Sequence, residues 1–352
     1  MSLVLDLDEL RPDTATSVGG AKIGRLVEMG AAGTVVPGGF VLGVDAYRTH
    51  FRASGLDDWI GGIVRSLPAD PSDDRVAAAS EEIVGAIRQV ALTDELCDAI
   101  ADRYAQLCKR RGDDALPVAV RSSATGEDGV QSSFAGIFET YLGISGAVEV
   151  IDAVRDCWAS LFGPRALCYR LERGISHDDM PMAVGVLELV AAKASGVAFS
   201  VHPVSGKPDR IVVEGSWGWG EAVVQGLVTP DRGEVGKSDL RPLRYTVATK
   251  KVISDYDPAS RRVTEREMPP ELRDARVLDD EELCAVADAV RRIEQQYGHA
   301  VDVEWVLARD RAPGGPVHVV QSRPVTVAGP APAPAAWSPA SFALKYAFQG
   351  NR

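Results

Sequence analysis

The residues best suited to chemistry lie at 118–128, VAVRSSATGED, shortly before a second motif, SFAG. An apolar stretch leads there to an arginine and then to a hydroxyl-rich segment interrupted by glycine. This composition predicts a strand that ends in a flexible loop able to fold over a polyanion. Arg121 would supply a planar charged fork, and Ser122, Ser123 and Thr125 would offer hydroxyl and backbone donors. An ordinary polar loop held by one structural arginine is an equally good interpretation, because serine-rich loops are common.

A second candidate is Lys22, which follows Gly19 and Gly20 at the start of a helix predicted to run through about Met29. Backbone N–H groups and the helix dipole favour an anion at such a start. A surface lysine at this position would also be unremarkable. Lys22 is therefore a strong candidate for anion binding only in combination with other charged residues.

A third group lies on two short strands predicted near the C-terminus. Alternation places Asp302 and Glu304 on one face of the first strand, and Gln321 and Arg323 share a face of the second. An acid on a buried strand costs free energy unless a cation or hydrogen bonds compensate it. A magnesium ion carrying nucleotide phosphates would do so through oxygen ligands, and Arg323 would neutralise phosphate. A structural salt bridge between Glu304 and Arg323 is the alternative.

Composition and charge limit the classes of protein. The 352 residues allow two or three domains with real cores. A net charge of −12 argues against a nucleic-acid partner, because binding a phosphate backbone requires a basic surface. The start of the chain does not resemble a signal peptide, and no apolar run reaches membrane-spanning length, so we expect a cytoplasmic protein without a membrane partner. The scattered cysteines predict reduced thiols; they are Cys97, Cys108, Cys157, Cys168 and Cys284.

Apolar periodicity predicts several elements that would position these residues. Besides the first helix, helices are expected as a pair within 73–109 and at about 147–161, 164–172 and 280–297. Strands are expected at 139–142, 184–190, 196–200, 211–214, 301–307 and 317–321. Neither a Walker A motif nor a G-x-G-x-x-G after a first strand is present, so the two folds that carry those motifs are not supported.

In five ordered blocks the chain resembles the ATP-binding domain of the pyruvate phosphate dikinase, phosphoenolpyruvate synthase and rifampicin phosphotransferase family. The blocks are GGAKIGRLVEMG with VPGGFVL, VAVRSSATGED with SFAG and ETYL, ASGVAFSVHP, EGSWGWGEAVVQGLVTPD, and DVEW with VVQSRPVT, from about residue 17 to 327. The resemblance implies an α+β, ATP-grasp fold with the nucleotide held between two α+β subdomains.

The resemblance also implies a division of the chain. We expect a largely helical N-terminal subdomain at 1–110, followed at 111–200 by a central part with the Arg-Ser-Ser loop and the adenine hinge. A C-terminal subdomain with the metal ligands would occupy 201–328. Residues 329–352 would form a stiff Pro/Ala linker and an aromatic tail that docks.

Nine positions take a role around Mg-ATP if the resemblance holds. They are the phosphate-contacting and catalytic Lys22, Arg121 and Arg323, Gly136 and Thr140 of the phosphate-covering loop, the adenine-hinge residues Glu188 and Val190, and the magnesium ligands Glu304 and Gln321. The covering loop and the hinge rest on the resemblance alone, whereas the residue types themselves indicated the other five.

Three departures from the family pattern affect the expected function. Ile137 and Leu187 stand where relatives often carry glutamine, which predicts altered ATP geometry without loss of binding. Full-length relatives also carry a swivelling domain with a phosphoryl-accepting histidine. No histidine of this chain lies in that domain's motif; they are His50, His177, His202, His299 and His318.

Three functions remain open. First, the chain is a separately encoded ATP-binding subunit that phosphorylates a histidine on a partner protein, which then serves a small-molecule acceptor. Second, it is a self-contained kinase or ligase acting directly on a small molecule. Third, it is a sensor or scaffold that binds ATP without turnover. Ile137 and Leu187 lend the sensor some support. Retention of Glu304, Gln321 and Arg323 counts against it, since a sensor needs fewer catalytic positions. In a kinase or ligase, Lys22, Arg121, Arg323 and magnesium would supply most of the catalysis by electrostatic preorganisation.

Overall fold

The computed structural model describes residues 3–68, 70–125, 138–176, 179–224, 226–257 and 262–325. Its helices and strands form a mixed architecture in which the neighbouring strands of every sheet are antiparallel. The predicted α+β class is therefore confirmed. Gly136, Ile137 and the segment at 329–352 lie outside the described residues.

The first sheet takes its strands from residues 4–188. Its order is β1-β2-β5-β3-β4. The strands are β1 Val4–Asp6, β2 Gly39–Leu42, β3 Val118–Ala124, β4 Thr140–Ile144 and β5 Met182–Glu188. The central strand β5 is almost completely buried, as expected for a nearly continuous apolar run.

The second sheet follows directly along the chain, with the order β13-β12-β6-β7-β8-β9. Its strands are β6 Ala192–Phe199, β7 Arg210–Trp217, β8 Asp231–Gly236, β9 Pro242–Thr246, β12 Val301–Ala308 and β13 His318–Pro324. A separate hairpin pairs β10 Val252–Asp257 with β11 Arg262–Glu267. Residues 189–191 alone connect the first sheet to the second.

Helices cover both sheets and contribute most of the apolar core. They are α1 Pro12–Ala31, α2 Val44–Ala53, α3 Leu56–Ser66, α4 Asp73–Gln89, α5 Asp94–Arg111, α6 Ala147–Ser160, α7 Pro164–Arg173, α8 Glu221–Val224, α9 Pro270–Arg273 and α10 Asp280–Tyr297. One core joins α2–α6 to the first sheet, and a second joins α1 and α10 to the second sheet. Within the described ranges, no helix has both the length and the apolarity needed to cross a bilayer.

Helix α1 begins earlier than predicted and breaks where the helix start was expected. Gly20 has a φ of 74° inside it, which separates two helical segments. A Cβ at Gly20 would lie 1.9 Å from the carbonyl oxygen of Ser123, so only glycine fits this approach of helix to strand. The helical segment that carries Lys22 therefore starts anew at the expected place.

The placement of Arg121 on a loop was wrong. Arg121, Ser122 and Ser123 lie inside β3, which pairs with β5 on one side and with β4 on the other. Polar residues with low intrinsic strand preference stay extended here because both neighbours satisfy their backbone groups. The arginine consequently projects from a rigid sheet instead of a mobile segment.

Candidate functional site

One cavity of ≈ 360 Å³ collects almost all the predicted site residues. It lies between the first and the second sheet, with lining residues from β3, β4 and β5 on one side and from β6, β12 and β13 on the other. The predicted residues in its wall are Lys22, Arg121, Thr140, Glu188, Val190, Glu304, Gln321 and Arg323. The ninth, Gly136, lies outside the described residues. The contacts that these residues would make with a nucleotide stay a prediction.

Lys22 reaches this cavity because the broken helix start is anchored to the first sheet. The backbone N–H of Ile23, one residue further, donates to the Ser123 Oγ at 3.1 Å. Ser123 is completely buried, so its hydroxyl satisfies one of the N–H groups that a helix start leaves without a partner. Ser123 thus acts as a structural support next to the site and not as an exposed phosphate donor.

Arg121 bridges the two sheets. From β3 its guanidinium donates to the Val320 carbonyl at 2.7 Å and to the Gln321 Oε1 at 2.6 Å. The same group lies 3.5 Å from the Glu304 Oε2. A planar cation held by three oxygens can fix the distance between the sheets and orient both predicted magnesium ligands. Its predicted phosphate contact remains a prediction beside this observed role.

Arg323 pairs with Asp302, not with Glu304. Its Nε and NH2 lie 2.7 and 2.6 Å from the Asp302 Oδ2. The structural salt bridge proposed as the alternative for Glu304 is therefore absent. Burial raises the pKa of the Asp302 carboxyl above its ordinary value, and the Arg323 guanidinium partly opposes this shift.

Glu304 and Gln321 face each other across β12 and β13. The register of the two strands shifts directly after Glu304, and such bulges often re-aim side chains beside active sites. Two hard oxygen donors in this arrangement suit magnesium, which usually takes one or two protein ligands and completes its shell with phosphate and water. Among the described residues, no group of three or more His, Cys, Asp or Glu could hold a metal without such help.

The connection between the sheets and the end of β5 also line the cavity. Glu188 ends β5, and its carboxylate accepts two hydrogen bonds from Arg111, at 2.7 and 2.5 Å. Leu187, the residue that departs from the family pattern, is buried and lines the cavity. At that point, the cavity wall is apolar where relatives often carry an amide.

Leu189, Trp219, Val306 and Val320 pack together next to Val190, and we call this part of the cavity the apolar slot. Ala119 and Leu142 also line the cavity. The charged lining residues come from several elements: Lys22 from α1, Arg121 from β3, and Glu304 and Arg323 from β12 and β13. A ligand with an apolar planar part and an anionic part would fit this combination.

Trp219 is a site residue that the sequence did not reveal as such. Its indole N–H donates to the Val190 carbonyl at 2.9 Å, and its ring lines the cavity. The glycine-punctuated WGWGE segment is too loose a pattern to identify a nucleotide site by itself. Its pairing with Val190 depends on how two distant segments meet, which no local pattern encodes.

None of the described histidines lines the cavity. His202 ends the ASGVAFSVHP block in a turn, where its Nδ1 accepts hydrogen bonds from the backbone N–H groups of Val204 and Ser205. His177 lies outside the described residues.

Comparison with known proteins places this site in a family context. The family model described as pyruvate phosphate dikinase, AMP/ATP-binding domain, matches residues 16–339. A probable phosphoenolpyruvate synthase of Methanothermobacter thermautotrophicus is 40% identical over 324 residues, covering 92% of this chain and 46% of that protein. A phosphoenolpyruvate synthase of Aeropyrum pernix is 36% identical over 348 residues, covering 92% of this chain and 42% of that protein. The chain thus spans less than half the length of these two relatives.

A solved structure of an L-amino acid ligase from Bacillus licheniformis covers 70% of this chain and 48% of its own at 11% identity. Its TM-score of 0.25 is too low to support an argument. The family match needs no such support, because it extends over most of the residues and includes every block that suggested the resemblance. The chain belongs to the pyruvate phosphate dikinase family of AMP/ATP-binding domains.

Proposed function

We propose that the chain binds Mg-ATP between its two sheets and transfers a phosphoryl group to a histidine on a partner protein. The observation that carries this proposal is the convergence of eight predicted residues, from Lys22 to Arg323, on a single cavity. The AMP/ATP-binding domain and the phosphoenolpyruvate synthases among the relatives support the same function.

The cavity would take the base and the phosphates at different ends. Its apolar slot, next to Val190, suits a purine, while Lys22, Arg121 and Arg323 bring positive charge to the same cavity for the phosphates. The net charge of the chain is −12, so these local cations must offset the repulsion of a polyanion. Placed before the reaction, they would stabilise the charge that develops on the transferred group without further reorganisation.

Glu304 and Gln321 would hold the magnesium ion of Mg-ATP. When bound, the ion would neutralise and orient the phosphates. Arg121 supports this assignment because it already holds Gln321 in place and lies beside Glu304. The bridge would hold both oxygen donors in position for the ligand before it binds.

The phosphoryl acceptor is assigned to a partner protein on the basis of the family resemblance. In that family the accepting histidine belongs to a swivelling domain separate from the ATP-binding domain. Dikinase relatives transfer the β-phosphoryl group and release AMP and phosphate. The same outcome is expected here, with the histidine supplied by the partner.

Product analysis with labelled ATP tests the proposal. The chain is incubated with Mg-ATP labelled at the β-phosphate, alone and with the non-matching part of the Aeropyrum pernix relative as the histidine donor. The expected result is AMP, together with an acid-labile label on the added protein. ADP and a labelled small molecule would instead indicate the self-contained kinase or ligase, and tight binding without turnover would indicate a sensor. Failure to bind Mg-ATP would overturn the proposal.

A further inference from the structure

We propose that Trp219 is a positioning residue, which fixes the connection between the sheets so that this segment can hold the base of the nucleotide. The inference rests on the proposed binding of ATP and goes beyond it by naming the residue that sets the base end of the site. Trp219 contacts that end in two ways. Its ring lines the cavity wall, and its indole N–H donates to the Val190 carbonyl.

Four hydrogen bonds hold residues 188–191, which comprise the end of β5 and the connection between the sheets. On the side of the first sheet, the N–H of Glu188 donates to the Gly38 carbonyl at 2.9 Å. The N–H of Leu189 donates to the Pro117 carbonyl at 3.0 Å. Two consecutive residues are thus attached to the segments that precede β2 and β3.

The other two hydrogen bonds come from residues that closely follow strands of the second sheet, Trp219 after β7 and Arg309 after β12. The Val190 carbonyl accepts from the Trp219 indole at 2.9 Å, and the Ala191 carbonyl accepts from the Arg309 N–H at 2.7 Å. Three of the four bonds join backbone to backbone. Among these four, only the hydrogen bond from Trp219 involves a side chain. A substitution can therefore remove it without altering the path of the backbone.

Trp219 can position Val190 because it is itself immobilised. Its backbone N–H donates to the Ser254 carbonyl at 3.0 Å, and its side chain is only 6% exposed. The preceding Gly218 has a φ of 77°, and a Cβ there would lie 2.1 Å from the same Ser254 carbonyl oxygen. The Gly218 carbonyl in turn accepts from the buried Ser195 hydroxyl at 2.5 Å. A tightly held turn therefore fixes the position of the indole.

The position of Trp219 separates its effect on the base from any effect on the phosphates. The indole and Val190 belong to the apolar slot, where Trp219 packs with Val306 and Val320. Arg121 is held by the Val320 carbonyl and the Gln321 side chain, and Arg323 is held by Asp302; none of these hydrogen bonds involves the indole N–H. Val320 belongs to both sets, but it holds Arg121 through its backbone carbonyl, and Trp219→Phe keeps an aromatic ring to pack against it. Loss of the indole N–H should loosen the base end and leave the phosphate end intact.

Calorimetry with two ligands tests this separation. Dissociation constants of Mg-ATP and of Mg-tripolyphosphate, which lacks the nucleoside, are measured for the wild type and Trp219→Phe. Trp219→Phe keeps an aromatic ring but removes the donor, and it should weaken Mg-ATP about tenfold, the upper range for one hydrogen bond. Binding of Mg-tripolyphosphate should be unchanged. Trp59→Phe is the matched control, because Trp59 lies on α3, is 39% exposed and does not line the cavity.

Each outcome of the calorimetry bears either on the inference about Trp219 or on the proposed function. Equal weakening of both ligands would show a general structural role and overturn the inference, as would unchanged binding of Mg-ATP. A wild type that binds Mg-tripolyphosphate but gains nothing from the nucleoside would also overturn it. A wild type that binds neither ligand would contradict the proposed function instead. Should Trp219→Phe melt below the assay temperature, the same titrations are repeated for all variants at a lower temperature at which Trp219→Phe is folded.

Discussion

Two oppositely charged pairs of this protein differ in how completely the surrounding residues enclose them. Lys250 and Asp231 are 0% and 1% exposed, and their charged atoms lie 2.6 Å apart. Arg121 and Glu304 keep 12% and 25% of their side-chain surface, and their closest charged atoms lie 3.5 Å apart. The first pair is sealed in the protein interior, whereas the second lines the cavity between the sheets.

The sealed pair has no remaining capacity for a ligand. Asp231 accepts four hydrogen bonds, from Lys250, the Ala248 N–H, the Tyr245 hydroxyl and the Val277 N–H. Glu304, by contrast, is held only loosely by Arg121. A saturated buried pair serves the fold, because each charge is compensated within the protein. A loosely paired carboxylate at a cavity wall is available to a cation, so enclosure and saturation distinguish structure from function where charge alone does not.

The largest effect is expected from breaking the sealed pair. Lys250→Met should lower the free energy of unfolding by about 3–5 kcal/mol, because it leaves a buried carboxylate without its countercharge. Urea unfolding followed by circular dichroism measures this loss. Lys251→Met is the control, since the neighbouring lysine is exposed and should change stability by less than about 0.5 kcal/mol. Equal stability of the two variants would show that enclosure does not identify structural charges.

The open pair should respond in turnover and not in stability. Glu304→Gln keeps the shape of the side chain but removes its charge, and we expect ATP turnover to fall about a hundredfold, typical of a group that stabilises transition-state charge. Initial rates of AMP or ADP formation measure this effect, and thermal melting checks the fold.

Glu214→Gln provides a closely matched control for that experiment. Glu214 is also 25% exposed and lies 3.6 Å from an arginine, Arg232, on the second sheet. It does not line the cavity. Near-normal turnover in Glu304→Gln, or an equal loss in Glu214→Gln, would mean that the cavity between the sheets is not the active site.

The sequence identified the charged residues but not what supports them. Lys22, Arg121 and Glu304 stood out because their types and motif context limit what they can do. Ser123 was interpreted as a loop donor, yet it holds the start of a helix 100 positions away in sequence. That contact depends on the close approach of Gly20 to β3, which only the assembled fold creates.

The hinge shows the same limit. Motif resemblance placed Glu188 and Val190 near the base, but neither the Arg111 partner nor the Trp219 hydrogen bond could be anticipated from local patterns. The pairing of Lys250 with Asp231 was equally hidden, since it forms only once β8 and the segment before β10 pack together. Side-chain chemistry is local information, whereas register and enclosure are properties of the whole fold.

The smallest effect concerns a third buried group, His50. It lies on α2, is 3% exposed and stacks on Trp158 with ring centres 5.4 Å apart. Burial, followed by the charge of Arg155, lowers the pKa of His50 below the ordinary value of 6.5. The unfolded chain therefore binds a proton at His50 more readily than the native protein does. Lys250 is buried beside the countercharge of Asp231, whereas burial disfavours the charged form of the His50 imidazole.

The sign of the pH effect follows from that difference. As the pH falls through 6.5, the unfolded chain gains a proton at His50 that the native state does not bind, so the free energy of unfolding decreases. One proton limits the slope to about 1.4 kcal/mol per pH unit. His50→Phe should flatten this acid-side decline in urea unfolding between about pH 7 and pH 5, with ATP turnover unchanged. His299→Phe, at an exposed position, should keep the wild-type slope. A steeper decline in His50→Phe would show that the native state stabilises the charged imidazole, contrary to the enclosure argument.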